Sequence, residues 1–402
     1  MVRPAVVVPN DPVTLARLTD GIEVVGNPQL EHAWSDGLAG AYVPEVMARL
    51  AGLTPTDRVE GTRDDNRSAI LPHRRLVLRG REYVACVKGC GAAADAFDHA
   101  PLTAARLRTI CHDPRLQAAL SAERADGGFI TGERWFGNSP YGAQAPDNAL
   151  LALLTSLRAD GNGIAGLPVC PVIAAVRLPD AIGRVASRFY WYRRYEGAYW
   201  QEVRLLPSNV RLYFHSPVTF GVDTPEAFAL FDLTSFETAE AFLENLVASC
   251  LAALTLFART LRAAPDGGYL GLGYHEVWLD KDAVIAPDGA LHFADLEGIE
   301  DVRAARPEAV REAIRDQFHR NLYEATFAIE RLTAEAQRRW RPFADDGERR
   351  AWTTELVERA CLRDPYLRAS REGDRLVLHV DSAVDADACG VDLEWSSGGV
   401  PP

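Results

Sequence analysis

The chain has 402 residues, is 48% hydrophobic and 25% charged, and carries a formal net charge of −13. That composition excludes disordered, collagen-like and coiled-coil chains, and the length allows a full core without disulfides or metals. A spread acidic surface repels phosphate backbones, so no nucleic-acid partner is expected.

Length alone anticipates two to three domains, or one domain with two lobes. Only Lys88 and Lys281 are lysines, so Arg supplies the other 41 of the 43 basic residues. A lysine kept where Arg is the rule marks a position that Arg does not suit. The seven cysteines, Cys86, Cys90, Cys111, Cys170, Cys250, Cys361 and Cys389, are widely spaced and form no CxxC pair. They read as buried thiols in a reducing cytoplasm. The apolar run at the start is too short for a signal peptide, and no apolar stretch reaches the roughly 20 residues that span a bilayer. A cytoplasmic protein with no membrane contact is expected.

In chain order, residues 1–60 mix short strand-like and helical pieces. Arg75 to Arg79 and Tyr83 to Lys88 form two strands of a hairpin turned at Gly80-Arg81-Glu82. Residues 101–122 carry leucines and isoleucine at helical spacing. Pro146 opens a helix that runs to about Leu157. Strands follow over Val169 to Leu178 and Glu202 to Phe214, with an arginine and aromatic cluster, Arg188 to Tyr195, between them. That cluster reads as packing of a sheet face rather than a stacking platform for bases. A long helix spans Ser235 to Ala263 with Ser235 as N-cap. Short strands lie between Tyr269 and Phe293, helices fill 307–338 and 347–362, and Leu376 to Val380 is a last strand. The fold class is α+β, with residues 1–220 as a mixed first part and 221–402 as a mainly helical second part.

The segment with chemical content is Tyr274 to Gly298. Asp282 precedes a short strand, Pro287-Asp288-Gly289 turns a hairpin, and the second strand delivers Asp295. Two carboxylates at neighbouring ends of one hairpin suit a Mg²⁺ ion shared with a polyphosphate, or else are solvated acids flanking an ordinary hairpin.

This pattern resembles the protein kinase-like superfamily, whose catalytic loop His-Arg-Asp-x-x-x-x-Asn is followed by a hairpin and Asp-Phe-Gly. Counted from His275, the Asn position is Asp282, and Asp295-Leu296-Glu297-Gly298 stands where Asp-Phe-Gly is expected. Val84-Ala85-Cys86-Val87-Lys88 resembles the strand motif Val-Ala-Ile-Lys, whose lysine contacts nucleotide phosphates. The carboxylate partner of that lysine is expected on a following helix, where Asp147 is the candidate and Gln144 and Glu133 are further options; Asp147 equally suits capping that helix.

Two departures set the chain apart from ordinary kinases. Val277 stands at the place of the catalytic base, flanked by Glu276, and no glycine-rich loop occurs in Ile70 to Arg75. An atypical branch, the AMP-transferring selenoprotein O family, is similar in lacking the base. It is matched by His275-Glu276-Val277, Lys88-Gly89-Cys90-Gly91, Gly166-Leu167-Pro168 and Arg184-Val185-Ala186-Ser187. The resemblance implies a two-lobed kinase-like fold with an N-terminal extension, with ATP and Mg²⁺ as ligands. Lys88, Gly89, Gly91 and Asp147 would hold the nucleotide, Asp282 and Asp295 the metal, and Lys88, Asp282, Asp295 and Glu276 would carry the chemistry. Three activities follow as alternatives: phosphoryl transfer to a protein or small molecule, AMP transfer, and nucleotide or partner binding by a pseudokinase.

Overall fold

In a computed structural model the chain is described at residues 2–8, 12–38, 40–64, 68–90, 144, 146–159, 168–186, 199–212, 229–261, 269–272, 279–296, 299–302, 321, 325, 329, 332–341, 343–364, 367–372, 375–380 and 392–395. It is a mixed α and β protein that divides into two compact units. The first comprises 1–2, 9–157 and 171–206; the second comprises 3–8, 158–170 and 207–402. The division at 206/207 follows directly on a strand, whereas the composition change anticipated near 220 lies outside the described residues.

The first unit is built on an eight-stranded sheet. Its strands are β1 (Pro12–Leu18), β2 (Glu23–Gly26), β3 (Ala41–Pro44), β4 (Asp57–Arg63), β5 (Ser68–Leu78), β6 (Arg81–Lys88), β7 (Val172–Arg177) and β8 (Trp200–Leu206). They lie in the order β2-β7-β8-β6-β5-β4-β1-β3, every neighbouring pair antiparallel. The anticipated hairpin is β5–β6, but its turn is Arg79 and Gly80, both at positive φ (51° and 76°), the two-residue geometry that matches strand twist; Arg81 and Glu82, expected in the turn, pair with Leu78 and Val77 in the ladder. Ile70 to Arg75, where a glycine-rich loop was sought, lies inside β5; the β4–β5 connection is 64–67.

Opposed residues in a ladder share a face. Ala69, Leu71, Ala85, Val87, Val203 and Leu205 therefore face together, and all belong to the apolar core of this unit with Val13, Leu15 and Tyr42. The other face of the same three strands carries Ser68, Cys86, Lys88, Glu202 and Arg204. Helix α1 (Glu45–Leu50) follows β3, and helix α2 (Pro146–Ala159) follows β6 in the fold, opened by its proline as anticipated. The Ser156 hydroxyl accepts from the Val172 N–H (3.0 Å), tying α2 to β7, and the short helix α3 (Asp180–Ala186) follows that strand.

The second unit is organised by helix α4 (Phe236–Leu261). Ser235 is its N-cap: the Thr238 N–H donates to the Ser235 hydroxyl (3.2 Å), and the Ser235 N–H donates to the Thr238 hydroxyl (3.1 Å). This reciprocal pair satisfies two donors with Thr in the place usually held by Glu. Leu243, Leu246, Val247, Cys250, Leu251 and Leu254 are buried along one stripe of the helix. Helix α6 (Asp346–Cys361) packs on α4 through Arg359, which donates to Glu240 (2.9 Å) and Glu244 (3.0 Å), and through Trp352 Nε1, which donates to Glu240 (3.0 Å). Among the described residues the unit also holds three small antiparallel sheets: β9 (Tyr269–Leu272) with β12 (Ile299–Val302), β10 (Ala283–Ile285) with β11 (Leu291–Phe293), and β13 (Leu367–Glu372), β14 (Arg375–Val380) and β15 (Asp392–Trp395). Among the described residues no helix is long and apolar enough to cross a membrane.

The cysteines among the described residues, Cys86, Cys90, Cys170, Cys250 and Cys361, are buried thiols outside any disulfide. Burial pushes the Cys250 thiol up to about 12. Native protein at pH 8 is therefore expected to leave Cys250 unalkylated by iodoacetamide while urea-unfolded protein reacts fully, because only the thiolate attacks. Peptide mass mapping reads the result, and labelling of the native Cys250 at the unfolded rate would contradict this burial.

Candidate functional site

Lys88 ends the central strand β6 and is fully enclosed, at 0% exposure. An ammonium removed from water is costly unless compensated, so the surroundings of Lys88 carry information. Its ladder partners are Ser68 on β5 and Glu202 on β8. Two residues along β8, Arg204 donates to Glu202 (3.1 Å) and lies 3.5 Å from the Asp64 carboxylate, and all three of these side chains are at or below 1% exposure. Asp64 sits at the end of β4, where its N–H donates to the Ser68 carbonyl (3.0 Å). One face of the sheet thus buries two cations, Lys88 and Arg204, and two carboxylates, Asp64 and Glu202. The arrangement balances charge and concentrates hydrogen-bonding groups in a low-dielectric setting.

The turn after Lys88 is also held. Gly89 has φ +95°, a conformation that favours glycine, and its carbonyl accepts from Gln201 Nε2 (3.0 Å). The same carboxamide brackets Tyr42, donating to its carbonyl (2.7 Å) and accepting from its N–H (2.9 Å). Gln201 points to the apolar side of the sheet and fixes the backbone at the exit of β6. Gly91 lies outside the described residues.

Asp147 falls in the first turn of α2, but its side chain is outside the described residues, as are Glu133 and all of 273–278 with His275, Glu276 and Val277. Gln144 is described. Its N–H donates to the Trp200 carbonyl (2.8 Å) and its carbonyl accepts from the Trp200 N–H (2.9 Å). It therefore extends the line of β6 beyond Lys88.

In the second unit, Asp282 closes the turn α5 (Leu279–Asp282) and enters β10, while Asp295 follows β11. The register Ala283 to Phe293 and the Asp282 carbonyl, which accepts from both the Ala294 N–H (2.8 Å) and the Asp295 N–H (3.1 Å), bring the two aspartates together at the open end of the hairpin. Asp282 is 2% exposed, so it is not a solvated acid; Asp295 is half-buried. Asn321 anchors the turn by accepting from the Leu279 N–H (2.8 Å). Gly289 turns the other end at φ +88°, its Cα against the Phe242 carbonyl of α4, so that any side chain there would collide with backbone. The Asp288 carbonyl accepts from Asn245 Nδ2 (2.7 Å), fixing the hairpin on α4.

Among the described residues no group of three or more His, Cys, Asp or Glu side chains is placed to hold a metal. A pair of aspartates fits Mg²⁺ and not a structural zinc, because Mg²⁺ keeps several waters and takes its remaining oxygens from a phosphate ligand.

Asp64, Ser68, Glu202, Arg204 and Asn321 carry no motif and were not among the anticipated site residues. A signal for two of them exists in Trp200-Gln-Glu-Val-Arg-Leu-Leu206: opposite charges at alternate positions, and so on one face, of a strand with apolar ends. Neither protein-family models nor curated proteins gave a match to this chain.

Proposed function

We propose that the chain is an ATP- and Mg²⁺-dependent transferase of atypical kinase-like fold, acting on a protein or a small molecule. The observation that carries this reading is Lys88, one of two lysines in the chain, fully enclosed at the end of a central strand and facing a polar patch. The order of elements supports it: a lysine strand, then helix α2, then the long helix α4, then a hairpin with an aspartate at each open end. That is the order the resemblance implies.

In this reading Lys88 holds phosphate oxygens as a compact point charge, and Gly89 lets the backbone approach them. Asp282 and Asp295 would hold Mg²⁺, which supplies neutralisation of charge on the phosphates. A loose phosphoryl transition state asks little of a base, so Val277 at the base position is compatible with transfer.

A melting scan with millimolar ATP, with and without Mg²⁺, tests the reading. Ligand at a hundredfold excess over Kd stabilises the native state by about 2.7 kcal/mol. An upward shift that requires both ATP and Mg²⁺ is expected. Absence of a shift, with no heat of binding by calorimetry, would remove it. ATP labelled at the γ or the α phosphate then distinguishes phosphoryl from AMP transfer, and binding with neither label transferred identifies a pseudokinase.

A further inference from the structure

Two polar side chains beside Lys88 have a job that the folded chain does not give them. The Ser68 hydroxyl is buried at 0% exposure and has no hydrogen-bond partner. The Gln144 carboxamide is buried at 2% exposure, and neither its Nε2 nor its Oε1 has a partner. Buried polar groups are almost always hydrogen-bonded, and each one left unmade destabilises the fold by an amount comparable to a hydrogen bond. Three such atoms on one small patch call for a ligand or for water.

Register places them on the same face. Ser68 stands directly opposite Lys88, and Lys88 directly opposite Glu202. Gln144 stands opposite Trp200, two residues from Glu202 on β8, so its side chain leaves the sheet on the side of Glu202 and Lys88. Along the line of β6, Gln144 is one side-chain repeat beyond Lys88, about 7 Å away. Ser68 across the ladder and Gln144 along the strand line thus present a hydroxyl and a carboxamide on two sides of the Lys88 ammonium.

We propose that Ser68 and Gln144 are ligand-contacting residues that flank Lys88 and bind the same phosphorylated ligand. This rests on the reading of Lys88 as a phosphate-binding lysine. The ligand class follows from the donors: the Ser68 hydroxyl, the Lys88 ammonium and the Gln144 NH₂ all donate to phosphate oxygens. The Gln144 carbonyl oxygen takes a donor that the ligand brings, a hydroxyl or a bound water. The orphaned atoms are then a preformed site whose groups are satisfied only when loaded, the usual form of a stability cost held for function.

The test uses apolar replacements close in size, Ser68→Ala and Gln144→Met, in the full chain. Each removes buried unpartnered atoms, so each apo variant is expected to melt about 2 °C higher than the parent. Each is also expected to bind ATP about tenfold more weakly by calorimetry, and Ser68→Ala to weaken inorganic tripolyphosphate to the same degree. Higher apo stability with unchanged affinity for both probes would overturn the proposal and leave water as the partner of these atoms. Parent protein that binds neither probe would overturn the phosphate reading of Lys88 itself. Parent protein that binds tripolyphosphate with the Ser68 dependence, but shows no Mg²⁺-dependent ATP binding, would uphold the site and remove the transferase.

Discussion

Arg204→Ala is expected to destabilise the protein by about 3–5 kcal/mol, the range for removing one partner of a buried ion network. Arg204 is 1% exposed and faces two carboxylates, Glu202 at 3.1 Å and Asp64 at 3.5 Å, themselves almost fully enclosed. Without the guanidinium both acids stay in the interior with one counter-charge fewer. Lysine is a poor substitute, because one compact ammonium cannot serve two acceptors on different strands as a planar fork does. Arg204→Lys should therefore recover only part of the loss. Replacing Arg204 and Asp64 together, Arg204→Met with Asp64→Asn, leaves Lys88 opposite Glu202 and the buried charges balanced; it should cost less than Arg204→Ala alone, since the penalty comes from unpaired charge more than from the lost bridge. Urea denaturation followed by circular dichroism measures each variant, with the midpoint moving and the slope unchanged. A loss below about 1 kcal/mol for Arg204→Ala would mean that water reaches these acids.

That network marks the boundary of what the sequence discloses. Local signals were legible: Gly80 turned the β5–β6 hairpin, Pro146 opened α2, Ser235 capped α4, and Gly289 turned β10–β11. Each depends on neighbours within a few residues. The sheet of the first unit was not legible, because β1 pairs with β4 some forty residues on, and β6 pairs with β8 more than a hundred residues on. Asp64 and Arg204 meet across 140 positions of chain. No periodicity encodes that encounter, and charged side chains within a strand ordinarily signal a solvated face. The same holds at the site. Lys88 was found by its motif and its rarity, while Ser68 and Glu202 became visible only through their places opposite it in the ladder. On spacing alone Asp282 read more readily as a solvated acid than as a metal ligand, and its enclosure at 2% exposure argues against the solvated acid.

Asp295→Ala is expected to reduce transfer from ATP by about a thousandfold or more, corresponding to about 4 kcal/mol of transition-state stabilisation. Asp295 leaves β11 at the open end of the hairpin, with its N–H on the Asp282 carbonyl (3.1 Å). Removing its carboxylate halves the anionic charge that the two aspartates offer a cation, while the N–H that fixes the backbone is retained. The apo melting temperature, measured beside transfer, separates a loss of fold from a loss of metal. Asp295→Asn keeps an oxygen ligand without the charge and should fall between the two. Asp288 supplies the internal control. It lies in the same hairpin, at the turn, where its half-buried carboxylate pairs with the exposed Arg3 at 2.8 Å and accepts from the Ala290 N–H (3.3 Å). Asp288→Ala should leave transfer unchanged, with a loss of stability of about 1 kcal/mol from the turn contact. The Mg²⁺ concentration that half-saturates activity should rise for Asp295→Asn and not for Asp288→Ala, a readout that a merely structural role would not move. Full activity of Asp295→Ala with ATP labelled at either phosphate would show that the hairpin does not hold the metal.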